Sequence, residues 1–144
     1  KLAKKFKIPE IVYRGILEHH GDGVMRYFYE MEKSVDPYVD RDEFRHLGNK
    51  PTTKETAILM FADSLEGACR ARFLNEDADE AKIKEVVDEI FNEKISDHQL
   101  DESPITFADL SLIKESFQKS LEGLYHQRVM YPDITEDVED LEEE

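Results

Sequence analysis

Two adjacent histidines, His19 and His20, and one aspartate, Asp63, are the residues of this chain best suited to chemistry. Neutral imidazoles and carboxylates together bind iron, manganese and zinc, so these residue types indicate a metal site. Successive helical residues point about 100° apart, so both rings reach one metal only if the helix end distorts or two metals are present. Gly21 and Gly23 follow the pair and permit such a distortion.

Each of these residues also has a purely structural interpretation. The histidines stand at the expected end of a helix, where a partly charged imidazole interacts well with the helix dipole. Asp63 follows the apolar run 58–62, where an ionised carboxylate requires a cation or several hydrogen-bond donors. Alternatively, Asp63 lies on a polar stripe with Glu66 and Arg70 at helical spacing. The spacing alone leaves both interpretations open.

The remaining histidines are weaker candidates for a functional site. His46 and His98 lie in charged connections and are expected to be solvated. His126 and Arg128 could contact a phosphate, although a surface position is the simpler interpretation of His126. No serine or cysteine is spaced like a nucleophile with its base, and no glycine-rich phosphate loop follows a strand pattern. The sequence therefore does not predict covalent catalysis or a phosphate loop.

Periodic apolar residues predict an all-α fold of about five helices. Pro9 favours the first turn of a helix that Gly21 stops, so both histidines fall in its last turn. A second helix is expected from Val24 to Ser34, and Pro37 follows it. The charged stretch from Asp36 to Pro51 contains at most a turn or two of helix, and connections this long often cover functional sites.

Three further helices carry the expected core. The capping-box pattern Thr52-Thr53-Lys54-Glu55 begins a long helix that ends near Phe73. Asp79 begins the next helix, and Thr106 caps the last one, which Pro132 closes. The expected buried positions on these helices are Ile58, Phe61, Ala62, Leu65, Cys69, Phe73, Ile83, Val86, Val87, Ile90, Ile95, Leu110, Ile113, Phe117, Leu121, Leu124 and Tyr125.

Length and charge exclude several classes of protein. The 144 residues suffice for one domain with its own core, and the formal net charge is −15. Such a chain does not fit a binder of nucleic-acid polymers or anionic membranes. No apolar run reaches the ~18 to 20 residues that span a membrane. The single cysteine, Cys69, excludes an internal disulfide.

The acidity is concentrated at the end of the chain. Eight acidic residues and no Lys or Arg lie between Asp133 and Glu144, so residues 1–132 carry only about −7. This tail is expected to be disordered. Its three apolar residues, Ile134, Val138 and Leu141, would alternatively allow a short helix that docks on a neighbour.

Four ordered blocks of the sequence resemble the HD-domain phosphohydrolases. They are Ile16-Leu17-Glu18-His19-His20-Gly21-Asp22-Gly23, Met60-Phe61-Ala62-Asp63-Ser64-Leu65-Glu66-Gly67-Ala68, Gln99-Leu100-Asp101-Glu102-Ser103-Pro104-Ile105-Thr106 and Leu124-Tyr125-His126-Gln127-Arg128-Val129-Met130-Tyr131-Pro132. The resemblance is specifically to the C-terminal part of the cytoplasmic HD domain of bacterial seven-transmembrane HD receptors, which are cyclic di-AMP phosphodiesterases. It implies that residues 1–132 are the second half of a larger helical HD domain and that residues 133–144 are a tail.

The resemblance also implies two divalent metals, iron or manganese. The family holds them with a histidine, a His-Asp pair, another histidine, an adjacent His-His pair and a later aspartate. The adjacent pair then corresponds to His19 and His20, on one metal, and the later aspartate to Asp63, on the other. No His-Asp dipeptide occurs in this sequence and nothing before His19 matches the earlier ligands, so those are expected upstream of Lys1.

Three functions remain open on the sequence. The first is part of a phosphodiesterase that hydrolyses a cyclic dinucleotide, expected to be cyclic di-AMP, with a water activated by two metals. The second is a catalytically inactive HD-fold module that regulates or binds a ligand, and the third is a helical interaction domain without a metal site. The resemblance implies a cytoplasmic domain of a bacterial membrane protein. Apolar helix faces left uncovered in this segment predict self-association.

Overall fold

The computed structural model describes residues 2–75 and 77–126, and within them all regular elements are helical apart from one isolated antiparallel bridge, Val24 to Arg45. The elements are the single turn α1 (Leu2–Lys5), α2 (Glu10–Glu18), α3 (Arg26–Lys33), a 3₁₀ turn (Arg41–Phe44), α4 (Lys54–Arg72), α5 (Glu80–Ser96) and α6 (Phe107–His126). The predicted all-α class is confirmed. The tail predicted at 133–144, together with Arg128, lies outside the described residues.

The long helices α4, α5 and α6 pack around one hydrophobic core, with α5 in contact with both of the others. Phe61 of α4 stacks on Phe91 of α5, with ring centroids 4.1 Å apart. The buried cluster comprises Phe61, Leu65, Cys69, Ile83, Val86, Val87, Ile90, Phe91, Leu110 and Leu121. Each large apolar side chain buried in this way contributes about 1.5–3 kcal/mol. The helix that carries Asp63 therefore contributes Phe61, Leu65 and Cys69 to the core.

Three expected core positions on these helices are exposed, and one of them is Leu124 of α6, which is 56% exposed. Ile58 is 38% exposed because Ala57, about 100° round the helix from it, and Met60, about 160° round in the same direction, take the buried positions of the first turns of α4. Ile95 is 41% exposed because Lys94, four residues after Ile90, lies on the buried face instead. The predictions for these two isoleucines are wrong by one helical position.

The N-terminus of α4 has the predicted capping box, shifted by one residue. Thr53 Oγ1 accepts a hydrogen bond from Thr56 N at 3.2 Å, and Thr56 Oγ1 accepts one from Thr53 N at 3.3 Å. Thr52, the expected cap, instead donates its N–H and hydroxyl to the buried carboxylate of Glu18, at 2.9 and 3.0 Å. Thr56 Oγ1 donates to the same carboxylate at 2.6 Å. The end of α2 is thereby fixed to the start of α4.

The outer face of α2 is apolar and uncovered in the described part of the chain. The side chains of Ile11, Val12, Ile16 and Leu17 are exposed there. This agrees with the uncovered faces expected from the sequence, while self-association itself stays a prediction. None of the helices in residues 2–75 and 77–126 is both long and apolar enough to cross a bilayer.

Candidate metal centre and its cleft

His20 and Asp63 meet although 43 residues separate them in the chain. His20 Nδ1 lies 3.1 Å from Asp63 Oδ2, and the two side chains are 46% and 45% exposed. His20 follows the end of α2, while Asp63 lies in the middle of α4, so the tie between Glu18 and the start of α4 brings the two helices into this register. Asp63 therefore has an imidazole partner at a position that a ligand can reach.

The ring nitrogens of the histidine pair are arranged as in metal-binding histidines. His19 Nδ1 lies 3.0 Å from the carbonyl oxygens of both Gly15 and Ile16. A carbonyl only accepts, so this Nδ1 carries the proton and the lone pair is on Nε2. His20 Nδ1 lies in the same way at hydrogen-bond distance from an acceptor, the carboxylate of Asp63. The centroids of the His19 and His20 rings are 4.0 Å apart. Ligating histidines usually donate the other ring N–H to a carbonyl or carboxylate.

His46 is a third histidine at this site, and the expectation that it is solvated is wrong. Its ring stacks on that of His20, with centroids 4.7 Å apart and planes 23° apart. Its backbone N–H donates to Gly23 O at 2.9 Å. Burial first, and then the charges of His20 and Lys94, lower the pKa of His46 below its ordinary value. The sequence signal that could have pointed to His46 is the length of the stretch from Asp36 to Pro51, because connections this long often cover functional sites.

Arg45 fastens that connection to the turn after the histidines. Its guanidinium donates two hydrogen bonds of 2.9 Å to the largely buried carboxylate of Asp97, and one of 3.0 Å to Asp22 O. Burial alone would raise the pKa of Asp97, but the hydrogen bonds and charge of Arg45 hold it below its ordinary value. Together with the bridge between Val24 and Arg45, these contacts place His46 over His20.

Gln99 supports the same turn from below and is fully buried. Its Oε1 accepts from Asp22 N at 3.1 Å, and its Nε2 donates to Asp22 Oδ1 at 2.7 Å and to Asp97 Oδ2 at 3.0 Å. Gly21 has φ +61°, and a Cβ there would collide with the Gln99 amide. A glycine is required at position 21 for both reasons, so the turn that orients His20 is specified by backbone geometry and packing.

A cleft of about 670 Å³ opens beside His20 and Asp63. Such a volume is typical of small-molecule sites. Its polar walls include His46 and the ammonium of Lys94, and its other walls are formed by Val24, Met25, Tyr27, Ala68, Ala71, Val86 and Ile90, among others. A ligand with charged and apolar parts would match this lining.

The predicted ligands contact one another in pairs and do not converge on one point. His19 lies against His20, and His20 contacts Asp63, but within residues 2–75 and 77–126 no three His, Cys, Asp or Glu side chains are grouped to hold a metal ion. The donors nevertheless fit iron or manganese in type, and the Nδ1 contacts leave the Nε2 atoms for a ligand bond.

Comparison with known proteins identifies relatives of this chain. No protein-family model matches the sequence. The chain is 35% identical over 133 residues to the cyclic-di-AMP phosphodiesterase PgpH of Listeria monocytogenes, and 31% identical over 137 residues to that of Bacillus subtilis. These alignments cover 92% and 95% of this chain but 18% and 19% of the relatives. The chain thus spans less than a fifth of the length of the curated relatives it matches.

Solved structures agree with the sequence comparison. The crystal structure of the L. monocytogenes PgpH HD domain in complex with cyclic-di-AMP matches with a TM-score of 0.79 and 35% identity, over 90% of this chain and 60% of that chain. A second crystal structure of that HD domain gives a TM-score of 0.76 at 33% identity, over 87% of this chain and 57% of that chain. The chain is therefore related to the HD-domain phosphohydrolases, which confirms the resemblance. More particularly, the part of its relatives that it matches is the HD domain of PgpH.

Proposed function

We propose that this chain is part of the catalytic domain of a metal-dependent phosphodiesterase that hydrolyses a cyclic dinucleotide, with cyclic di-AMP as the substrate. The observation that carries the proposal is the contact of His20 with Asp63 beside a cleft, in a fold that matches an HD domain solved with cyclic-di-AMP. The relatives at 35% and 31% identity are named for this activity. Membership in a larger, membrane-anchored protein is part of the same proposal.

The proposed roles are those that the family resemblance implies, and the ring nitrogens described above are compatible with them. His19 and His20 would bind one metal through Nε2, and Asp63 would bind the second. When bound, two metals of this kind supply an activated water and compensate the charge on the phosphate oxygens. The carbonyls of Gly15 and Ile16 hold the tautomer of His19. Because the sequence contains no His-Asp dipeptide, a complete two-metal site requires further ligands from outside these 144 residues.

The cleft supplies the remaining functions that a phosphodiesterase needs. Its apolar wall, which includes Met25, Val86 and Ile90, can bury part of a nucleoside and exclude water. The phosphodiester would then lie next to the proposed metal ligands His20 and Asp63, which line the same cleft. The chain's own residues thus bind and orient the substrate at the point where hydrolysis would take place.

The test is metal content and cyclic di-AMP hydrolysis by the full-length protein, for the wild type and for His20→Ala. We expect His20→Ala to lose metal affinity about 10–100-fold or more, and hydrolysis with it. The control is His98→Asn, because His98 is exposed, lies outside the cleft and has φ 59°, which asparagine tolerates. Unchanged metal content and rate in His20→Ala would refute the ligand assignment. Cyclic di-AMP binding without hydrolysis by the wild type would indicate an inactive HD-fold module instead.

A further inference from the structure

Lys94 is a lysine on the buried face of α5, where the helical pattern calls for an apolar side chain. The side chain is 10% exposed, whereas the neighbouring Ile95 is turned outwards. Lysine is almost never this buried unless it is paired. Its ion-pair partner is Glu93, and the distance between Lys94 Nζ and Glu93 Oε1 is 3.5 Å, which is long for a charge-assisted hydrogen bond. The ammonium therefore has bonding capacity that this contact does not use.

Lys94 lines the same cleft as the proposed metal ligands, and its ammonium lies beside the turn that follows the histidine pair. Lys94 lines the cleft together with His20, His46 and Asp63. A Cβ placed on Gly23 would lie 3.5 Å from Lys94 Nζ, so the ammonium is packed against the glycine turn that follows the histidine pair.

We propose that Lys94 binds a phosphate group of the phosphodiester substrate in the cleft beside His20 and Asp63. The assignment rests on the proposed function. An ammonium with three donors binds phosphate oxygens as a compact charge, and its interaction is stronger in a partly desolvated cleft than in water. Lys94 thereby gives the phosphate a second source of positive charge besides the metals. This charge comes from α5, whereas Asp63 lies on α4.

Glu93 competes with phosphate for Lys94, but it has a second cation. Arg26 Nη1 lies 3.6 Å from Glu93 Oε2, and Arg26 also lines the cleft. When Lys94 turns towards a phosphate, Glu93 retains Arg26 and no carboxylate is left without a cation. The exchange therefore avoids the cost of leaving a desolvated charge unpaired.

Three variants of the full-length protein separate phosphate binding from a structural ion pair. Lys94→Met keeps the length of the side chain and removes the charge, Lys94→Arg keeps the charge, and Glu93→Gln removes the competing carboxylate. The measurements are KM and kcat for cyclic di-AMP, inhibition by inorganic phosphate, and metal content. We expect Lys94→Met to weaken phosphate inhibition and raise KM by about 10–100-fold, with metal content unchanged. Lys94→Arg should recover part of this loss, and Glu93→Gln should keep or strengthen phosphate inhibition.

Two results would overturn the assignment. One is Lys94→Met with unchanged KM and phosphate inhibition, and the other is an equal weakening by Lys94→Met and Glu93→Gln, as a structural pair would give. If the wild type does not hydrolyse cyclic di-AMP, the shift of its melting temperature by inorganic phosphate is compared with that of Lys94→Met. Equal shifts would reject the role of Lys94. A shift lost only in Lys94→Met would reject the proposed substrate and retain the phosphate site.

Discussion

Replacing Gln99 by alanine should destabilise the protein more than any exposed substitution near the site. The Gln99 amide is fully buried and has four polar neighbours at hydrogen-bond distance, which are Asp22 N, Asp22 Oδ1, Asp97 O and Asp97 Oδ2. Alanine removes all of these contacts at once. It also leaves the N–H of Asp22 without its acceptor beneath the turn that carries His20.

The magnitude follows from counting the hydrogen bonds that the amide can make. Nε2 has two hydrogens for three acceptors, and Oε1 accepts one bond, so three bonds are lost. One neutral bond at about 1 kcal/mol and two bonds to carboxylates at about 1.5–3 kcal/mol each give a loss of about 4–7 kcal/mol, before any term for the cavity. The free energy of unfolding of a whole domain is about 5–15 kcal/mol. Gln99→Ala should therefore remove a large part of the stability.

The assay is equilibrium unfolding in urea followed by far-UV circular dichroism. With a slope of about 2 kcal/mol/M, the midpoint should fall by about 2–3.5 M. The matched control is Gln118→Ala, because the Gln118 amide bonds only Glu122 four residues along α6, and such pairs contribute about 0.2–0.5 kcal/mol. Gln99→Glu keeps the volume but places a carboxylate beside Asp22 and Asp97, so it should destabilise at least as strongly at neutral pH. A loss below about 1 kcal/mol for Gln99→Ala would show that the Gln99 amide does not support this turn.

Two further substitutions test the other polar supports of the site. Glu18→Ala should lower the unfolding free energy by about 2–4 kcal/mol, because it leaves donors of Thr52 and Thr56 without their buried acceptor. Urea unfolding measures this loss, and a loss within about 0.5 kcal/mol would contradict the prediction. Asp97→Asn should change the pH dependence. Arg45 holds the pKa of Asp97 below its ordinary value, so Asp97 contributes stability above about pH 4 that is lost as the pH falls. The difference in unfolding free energy between wild type and Asp97→Asn should therefore shrink from about pH 7 to about pH 3, and a constant difference would count against the ion pair.

Local sequence patterns predicted the helices well because helix formation depends on nearby residues. Apolar spacing located α4 and α5, and Thr106 with Asp109 forms the expected cap of α6, each side chain accepting from the other residue's N–H. The errors occurred where a distant partner changed a local preference. Thr52 fits the cap pattern, but Glu18 takes its donors, so Thr53 caps α4 instead.

The candidate site was predictable only in part, for the same physical reason. His19, His20 and Asp63 were predicted because their residue types have ligand chemistry and the family resemblance connected them, and their role as metal ligands stays a prediction. His46 was missed because nothing near it in sequence distinguishes a stacked imidazole from a solvated one. Lys94 was missed because its position differs by a single residue from that of the apolar Ile95, and only the packing of α5 decides which of the two is buried.

The position of His20 is set by contacts that join segments far apart in the chain. Glu18 joins the end of α2 to the start of α4. Gln99 joins the turn at Asp22 to the end of α5. Arg45 joins the long segment between α3 and α4 to Asp97. All three contacts are polar and at least partly buried, so each is strong only while its partners remain in place. His20, the proposed metal ligand, should lose its geometry when any one of these contacts is broken. Residues that never touch a metal or substrate should therefore affect metal affinity at this site as well as stability.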